Sequence, residues 1–245
     1  MERVSWFEKQ VMIKGISFYA HNRGTLIVSS VQPLRVLGSA VLGGELRQVR
    51  YIVNHSVDKD YSCNDPEQDL RQVIKGMELG PDVIGMMTAV KIEDTVLSVG
   101  TLRDLTVAAI CTAGVGNPGV AGLPGRKSQS SYQPGTINII MLIDGDLSPA
   151  AMVNAVITAT EAKVRALYNA KVSSAEGELV TGTTTDAIVV ACTGRGNLMR
   201  YAGTATNLGF LIGKTVHQAV LQGVKTYFAW TGRKKCTGKS KLVLN

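Results

Sequence analysis

Short apolar runs bounded by glycine or by small polar residues recur along this chain, a pattern of buried strands. "VMIKGISFYA" and "TLIVSS" read as strands around the turn "HNRG". "LGSAVLGGE" follows, punctuated by Gly43-Gly44, and "RQVRYIVNHSV" is a strand ending at Asn54-His55. "GMMTAVKI", "VAAICTAGVGNPGVAG" and "TINIIMLIDG" are further strands, the second running into a Gly-rich loop. "GLPGRKSQSSYQPG" reads as a mobile connection. Ala187 to Cys192 is a β-branched run and the last strand predicted.

Three segments switch to the helical period. In "NDPEQDLRQVIKGMEL", Asp65 can cap, Pro66 fits the first turn, and Leu70, Val73, Ile74 and Met77 form the buried stripe. Ser148 and Pro149 open a long helix to about Asn169. A final helix runs from about Leu208 to Gly223. Twice, a strand with a polar start feeds a helix: Asn138 to Asn169, and Asp186 to Gly223. The pattern predicts an α+β fold with mixed sheets packed by helices, a layered αββα arrangement being one form of it. The strands at Asn138 and Asp186 are expected in one sheet. Residues 1–230 are read as a single domain and 231–245 as an extension.

Charge changes this picture little. The net charge is +7, but the tail from Thr231 holds five basic residues and no acidic ones, leaving 21 basic against 19 acidic residues elsewhere. With a nearly neutral body, nucleic acid is not an expected partner. The low aromatic content (5%) and 26 glycines favour tight turns in an α/β or α+β chain. Cys63, Cys111, Cys192 and Cys236 form no CxxC pair, and no apolar run reaches about 18 residues. A cytoplasmic protein with no membrane partner is the expectation.

Two glycine motifs mislead. "GFLIGKT" is one residue short of a phosphate loop and sits inside a helical pattern, and "GLPGRKS" also fails on spacing. His21, His55 and His217 are scattered, so no metal motif is expected.

Polar residues gather at the ends of the apolar runs: Asn54-His55, Thr112 to Asn117, Asn138, and the turn Thr181 to Asp186. Strand ends are where ligands bind, and hydroxyls, amides and Gly N–H groups suit an amide-rich substrate or an oxyanion. The plain alternative for "TGTTTD" is a tight turn whose hydroxyls bond its own backbone. In the long helix, Met152, Val153, Ala159 and Leu167 fall within about 60° of Val156, and Lys163 lies only about 20° away. Glu161 and Arg165 point the other way. A lysine on an apolar stripe either snorkels to the rim or needs a carboxylate, for which Asp186 is available.

These clusters together resemble the adenosylcobinamide amidohydrolases (CbiZ). The matching stretches, in order, are "LGSAVLGGE", "IVNHSV", "NDP", "VIGMMTAV", "TAGVGNPGVAG", "GTINIIMLIDGDLSPAAMVNAVITATEAK", "TGTTTDAIVVA" and "YAGTATNLGFLIG". The resemblance spans about Leu26 to Gly213. It implies a salvage enzyme that hydrolyses the amide joining aminopropanol to a corrin side chain, giving adenosylcobyric acid without a cofactor. A weaker likeness, carried by "DLSPAAMVNAVITATEAK" and "TGTTTDAIVVA", is to αββα amidases that cut themselves before Ser or Thr.

Chemistry then distributes the roles. The nucleophile is a water held by Asp186 or a threonine of the turn. His55 is the neutral-pH proton shuttle, Lys163 partners Asp186, and Asn138, Asn117 and loop N–H groups hold the oxyanion. Thr88, Thr112, Asn117, Thr181, Thr183 and Thr185 line the substrate site. A homo-oligomer is compatible with this reading. The rival is a non-catalytic corrinoid-binding protein using the same pocket.

Overall fold

The computed structural model describes residues 13–22, 24–123 and 135–232. The basic tail, the first twelve residues and most of "GLPGRKSQSSYQPG" lie outside the described residues. In chain order the elements are β1 (Ile16–His21), β2 (Thr25–Gly38), β3 (Arg47–Ser56), α1 (Pro66–Gly76), β4 (Val83–Thr88), β5 (Val96–Leu102) and β6 (Leu105–Ala113). There follow β7 (Pro118–Gly119), β8 (Ile137–Asp144), β9 (Asp146–Leu147), α2 (Pro149–Asn169), β10 (Gly182–Thr183), β11 (Ala187–Cys192), β12 (Leu198–Met199) and α3 (Asn207–Thr231).

Eight strands make one mixed sheet, ordered β4-β3-β2-β11-β8-β6-β5, with β1 added on β2. As expected, β8 and β11 are neighbours; they are parallel, with Ala187 beside Asn138. The long β2 joins two limbs. Its first half, to Ser30, pairs with β1, and Arg35 to Gly38 pair with β11. Between them the β2–β3 register shifts, from Ser29 to Leu34. Pro33 sits in that shift, where its missing N–H costs no ladder bond.

Strand alternation sorts the core into layers. Ile137, Ile139, Met141, Ile188 and Val190 pack under α2 and α3. Their neighbours Ile140, Leu142, Val189 and Ala191 face inward and meet Phe18, Leu26, Val28, Ile52 and Met86 of the other limb. Ile27, Val53 and Val83 point out from that limb under Leu70 and Ile74 of α1. The result is helix pair, sheet limb, sheet limb, helix, made from one sheet folded on itself.

The helices begin where their caps dictate. The Asp65 carboxylate accepts from Gln68 N (3.0 Å) and the Ser148 hydroxyl from Ala151 N (3.1 Å). α3 is capped by Thr206 and runs to Thr231, well past Gly223. Gly223 is buried in mid-helix, so there glycine is no helix end. "GFLIGKT" lies within the first turns of α3. α2 is rotated from the expected phase. Met152, Ala159, Lys163 and Leu167 of the expected stripe are buried, but Val153 is 51% exposed, and the buried face extends to the other side over Ala151, Ala155, Ala162 and Ala166. These small alanines let α2 sit close to its neighbours. β5, at the edge of the sheet, carried no clear apolar alternation and is absent from the sequence reading. The expected strand "GMMTAVKI" ends at Thr88, and Ile92–Asp94 form a short 3-10 turn instead.

The joint between the limbs offers a direct test. A Cβ on Gly38 would lie 2.6 Å from the Ile188 carbonyl oxygen and 3.0 Å from Val189 Cα, both backbone atoms. Gly38→Ala should therefore cost about 1–3 kcal/mol by overpacking, read as a lower urea midpoint with an unchanged slope. An unaltered midpoint would contradict the β2–β11 joint.

Candidate active site

The polar clusters of the sequence meet at one end of the sandwich. The starts of the parallel strands β8 and β11 lie beside the end of β6, with Thr112 opposite Asn138. The ends of β3 and β4 arrive from the other limb, with Ser56 beside Thr88. Two groups of side chains form there, one inside the sandwich and one under α2.

The inner group is a closed amide and hydroxyl network. Asn138 Nδ2 donates to Asn54 Oδ1 and to the Met87 carbonyl, both at 2.8 Å. Asn54 Nδ2 donates to Thr112 Oγ1 (3.0 Å), and Thr88 Oγ1 accepts from Val90 N (3.1 Å). Asn54, Thr88, Thr112 and Asn138 are each at most 2% exposed. Both amide hydrogens of Asn138 are committed, so in this arrangement it positions the end of β8 and offers no free donor to an oxyanion. The sequence placed Asn54 in the Asn54-His55 cluster but assigned it no role of its own. Its phase with Ile52, both pointing inward, was the available signal.

The second group centres on Asp186. Lys163 Nζ lies 2.5 Å from Asp186 Oδ2, and the two side chains are 10% and 11% exposed. The helix phase had put Lys163 on a buried face, and it is buried there. Oδ2 also accepts from Thr183 N (3.1 Å). Oδ1 accepts from Ile137 N (3.1 Å) and from the Thr183 hydroxyl. Four donors thus occupy the roughly four lone-pair positions of the carboxylate.

Gly182 makes the approach possible. A Cβ there would lie 2.8 Å from Lys163 Nζ and would also strike Asp186 Oδ2.

The other threonines of the turn tie it to the Gly-rich loop. β10 pairs with β7. Thr181 Oγ1 accepts from Ala121 N (2.8 Å), Thr184 Oγ1 from Asn117 Nδ2 (2.7 Å), and Thr185 Oγ1 donates to the Gly135 carbonyl (3.1 Å). Thr136 joins the two groups by donating to the Thr185 carbonyl (2.8 Å), with Asn138 Oδ1 at 3.3 Å. Asn117 Oδ1 is buried and has no partner among the described residues. As an acceptor it suits an incoming N–H, not an oxyanion.

His55 stands apart. It follows Asn54 and so points to the other face of β3, where Nδ1 is 2.8 Å from Thr25 Oγ1. Burial holds its pKa below 6.5, so it is neutral at pH 7. Cys111 lies near enough to feel both Asp186 and Lys163, but burial, then the Asp186 charge, pushes its thiol up. It is not poised as a thiolate nucleophile. Among the described residues no three His, Cys, Asp or Glu side chains gather to hold a metal. Cavities of about 340 Å³, between β5 and α3, and about 240 Å³, at Arg35 and Asp146, lie away from Asp186.

Residues 9–232 match the family model described as adenosylcobinamide amidohydrolase. The chain is 32% identical over 196 residues to a Methanosarcina mazei protein named adenosylcobinamide amidohydrolase, covering 76% of this chain and 86% of that one. The chain belongs to the adenosylcobinamide amidohydrolase family. A Halobacterium salinarum adenosylcobinamide amidohydrolase is 36% identical over 46% of this chain and 48% of its own. An uncharacterized Methanocaldococcus jannaschii protein, MJ1613, is 27% identical over 82% of this chain and 85% of its own. The family span ends at Gly232, so the basic tail stands outside it. Both polar groups fall inside the span.

Gly182→Ala should force the buried pair apart. The expected loss is about 3–5 kcal/mol, the cost of leaving one buried charge uncompensated. Lys163→Met strands the same partner, so the Gly182→Ala/Lys163→Met double variant should lose little more than either single variant, measured by urea unfolding as a double-mutant cycle. Strict additivity would mean that Gly182 does not act through Lys163.

Proposed function

We infer that this chain hydrolyses the aminopropanol amide of adenosylcobinamide, releasing adenosylcobyric acid for re-use in cobalamin synthesis. The observation that carries the reading is a buried Lys163–Asp186 pair, set among amide-binding groups, within a chain matched to the family over residues 9–232. Replacing a buried ion pair by apolar residues is often neutral or stabilising, so stability alone gives little reason to keep one. A site that must place charge beside a reacting amide gives a better one. The Gly-rich loop, the threonine turn and Met87 would offer a broad, amide-studded corrinoid both hydrogen bonds and pliable apolar contact. Among the described residues no helix is long and apolar enough to cross a membrane.

The chemistry needs a nucleophile, a base, and donors for the oxyanion and the leaving amine. Asp186 is the base, its charge held by Lys163. Lys163 uses one N–H on Asp186 and has two more to give to the carbonyl oxygen or the departing amine. Asn117 Oδ1 accepts from the substrate amide N–H. Asn138, Thr112 and Thr88 keep the strand ends in register beneath.

Purified protein incubated with adenosylcobinamide should yield adenosylcobyric acid and aminopropanol, followed by liquid chromatography and mass spectrometry. Binding without product would favour the carrier reading instead. Asp186→Asn and Lys163→Met should each lower kcat by about 10²- to 10⁴-fold. Lys163→Met keeps the stem and volume, so its far-ultraviolet circular dichroism should match the parent. Near-parental turnover in either variant would remove the pair from the chemistry.

Deleting the residues after Gly232 should leave the hydrolysis rate nearly unchanged, because the family span and both polar groups lie before that point. A large loss in a folded truncation would place the tail over the site.

A further inference from the structure

We propose that Thr183 is the nucleophile and that hydrolysis passes through a covalent acyl-enzyme on its hydroxyl. This rests on the amide-hydrolase reading above and supplies its missing group.

The occupancy of Asp186 decides between a water and a side chain. A carboxylate has roughly four lone-pair positions, and here Lys163 Nζ, Thr183 N, Ile137 N and the Thr183 hydroxyl fill them. A water could reach Asp186 only by displacing one of these. The hydroxyl already in contact is that of Thr183, with its proton directed at Oδ1. This is the nucleophile–base contact, with the base held in turn by a third group, Lys163. The neighbouring threonines are otherwise engaged: Thr184 with Asn117, Thr185 with the Gly135 carbonyl, Thr181 with Ala121 N. Thr183 is half-buried, at the surface end of a charged pair that is itself almost closed to solvent. Cys111 is fully buried with its thiol pushed up, and His55 faces away.

The steps balance. Thr183 Oγ1 attacks the amide carbonyl carbon while its proton passes to Asp186. The tetrahedral intermediate collapses, the C–N bond breaks, and the amine leaves with the proton from Asp186. An ester now joins Thr183 to the acid portion of the substrate. Water adds to that ester, again giving a proton to Asp186. The C–O bond to Thr183 breaks, the proton returns to Oγ1, and the free acid departs.

Three measurements test it on the full chain. Thr183→Val, isosteric but without the hydroxyl, should lose at least about a thousandfold in kcat, and Thr183→Ser should keep most of it. With hydroxylamine present, the parent should divert product to the hydroxamate. Independently of the corrinoid, a β-lactone probe should acylate Thr183, located by peptide mass spectrometry, and should do so much more slowly in Asp186→Asn. If Thr183→Val is poorly folded, Thr183→Ala replaces it under the same reading. Turnover within tenfold of the parent in a folded variant lacking the hydroxyl would overturn the proposal and leave the enzyme reading standing. So would loss of activity with neither hydroxamate nor probe label. A parent that is inert toward adenosylcobinamide yet labelled at Thr183 would sink the substrate and keep the nucleophile.

Discussion

A lysine and an aspartate that are each only about one-tenth exposed constrain everything around them. Two charges leave water at a cost of several kcal/mol each, and their attraction offsets that only when the remaining donors and acceptors are used. This fold uses the carboxylate fully. β8 supplies the Ile137 N–H, the turn supplies the Thr183 N–H and hydroxyl, and α2 supplies the ammonium. The four donors come from three different parts of the chain. Moving any one of α2, β8 or the threonine turn would therefore strand a charge. The pair works as a pin through the helix layer, the sheet and the loop above it.

The surrounding packing follows from that pin. Lys163 can reach Asp186 only if α2 lies close to β11, and the alanine face of α2 permits this. Gly182 leaves the space in which the two side chains meet. On the inner side of the same strands, the Asn54–Asn138 bonds hold the second limb against the first. Two polar groups, one on each face of the sheet and linked through Thr136, thus set the geometry of one strand end.

Much of this was legible in the residues, for specific reasons. Asp65 and Ser148 are strong caps followed by proline, and both helices begin there. The phase of α2 put Lys163 inside and left Asp186 as its partner, because a buried ammonium has few alternatives. The layered fold followed from strands paired with helices. What was missed depended on long-range packing. Gly223 looked like a stop but is a contact residue within α3. Val153 looked buried because its phase falls within about 60° of Val156, whereas the buried face turns the other way, toward Ala151, Ala155, Ala162 and Ala166. His55 and Asn54 looked equivalent until strand alternation sent them to opposite faces. The threonines of the turn were expected as substrate ligands together. The structure gives each its own partner: Thr181, Thr184 and Thr185 bond to residues outside the turn, and Thr183 to the Asp186 carboxylate.

The Asn138–Asn54 bond joins residues 84 positions apart and Lys163–Asp186 joins two 23 apart, so the site mixes near and distant contacts. The near one can assemble when α2 and β11 dock. The distant one waits until β2 has carried the chain from one limb to the other. Loop closure of that length slows folding more than it weakens the folded state. Newly made chains would then hold the charged pair before the strand ends beneath it are in register, and catalytic competence would lag behind the appearance of secondary structure.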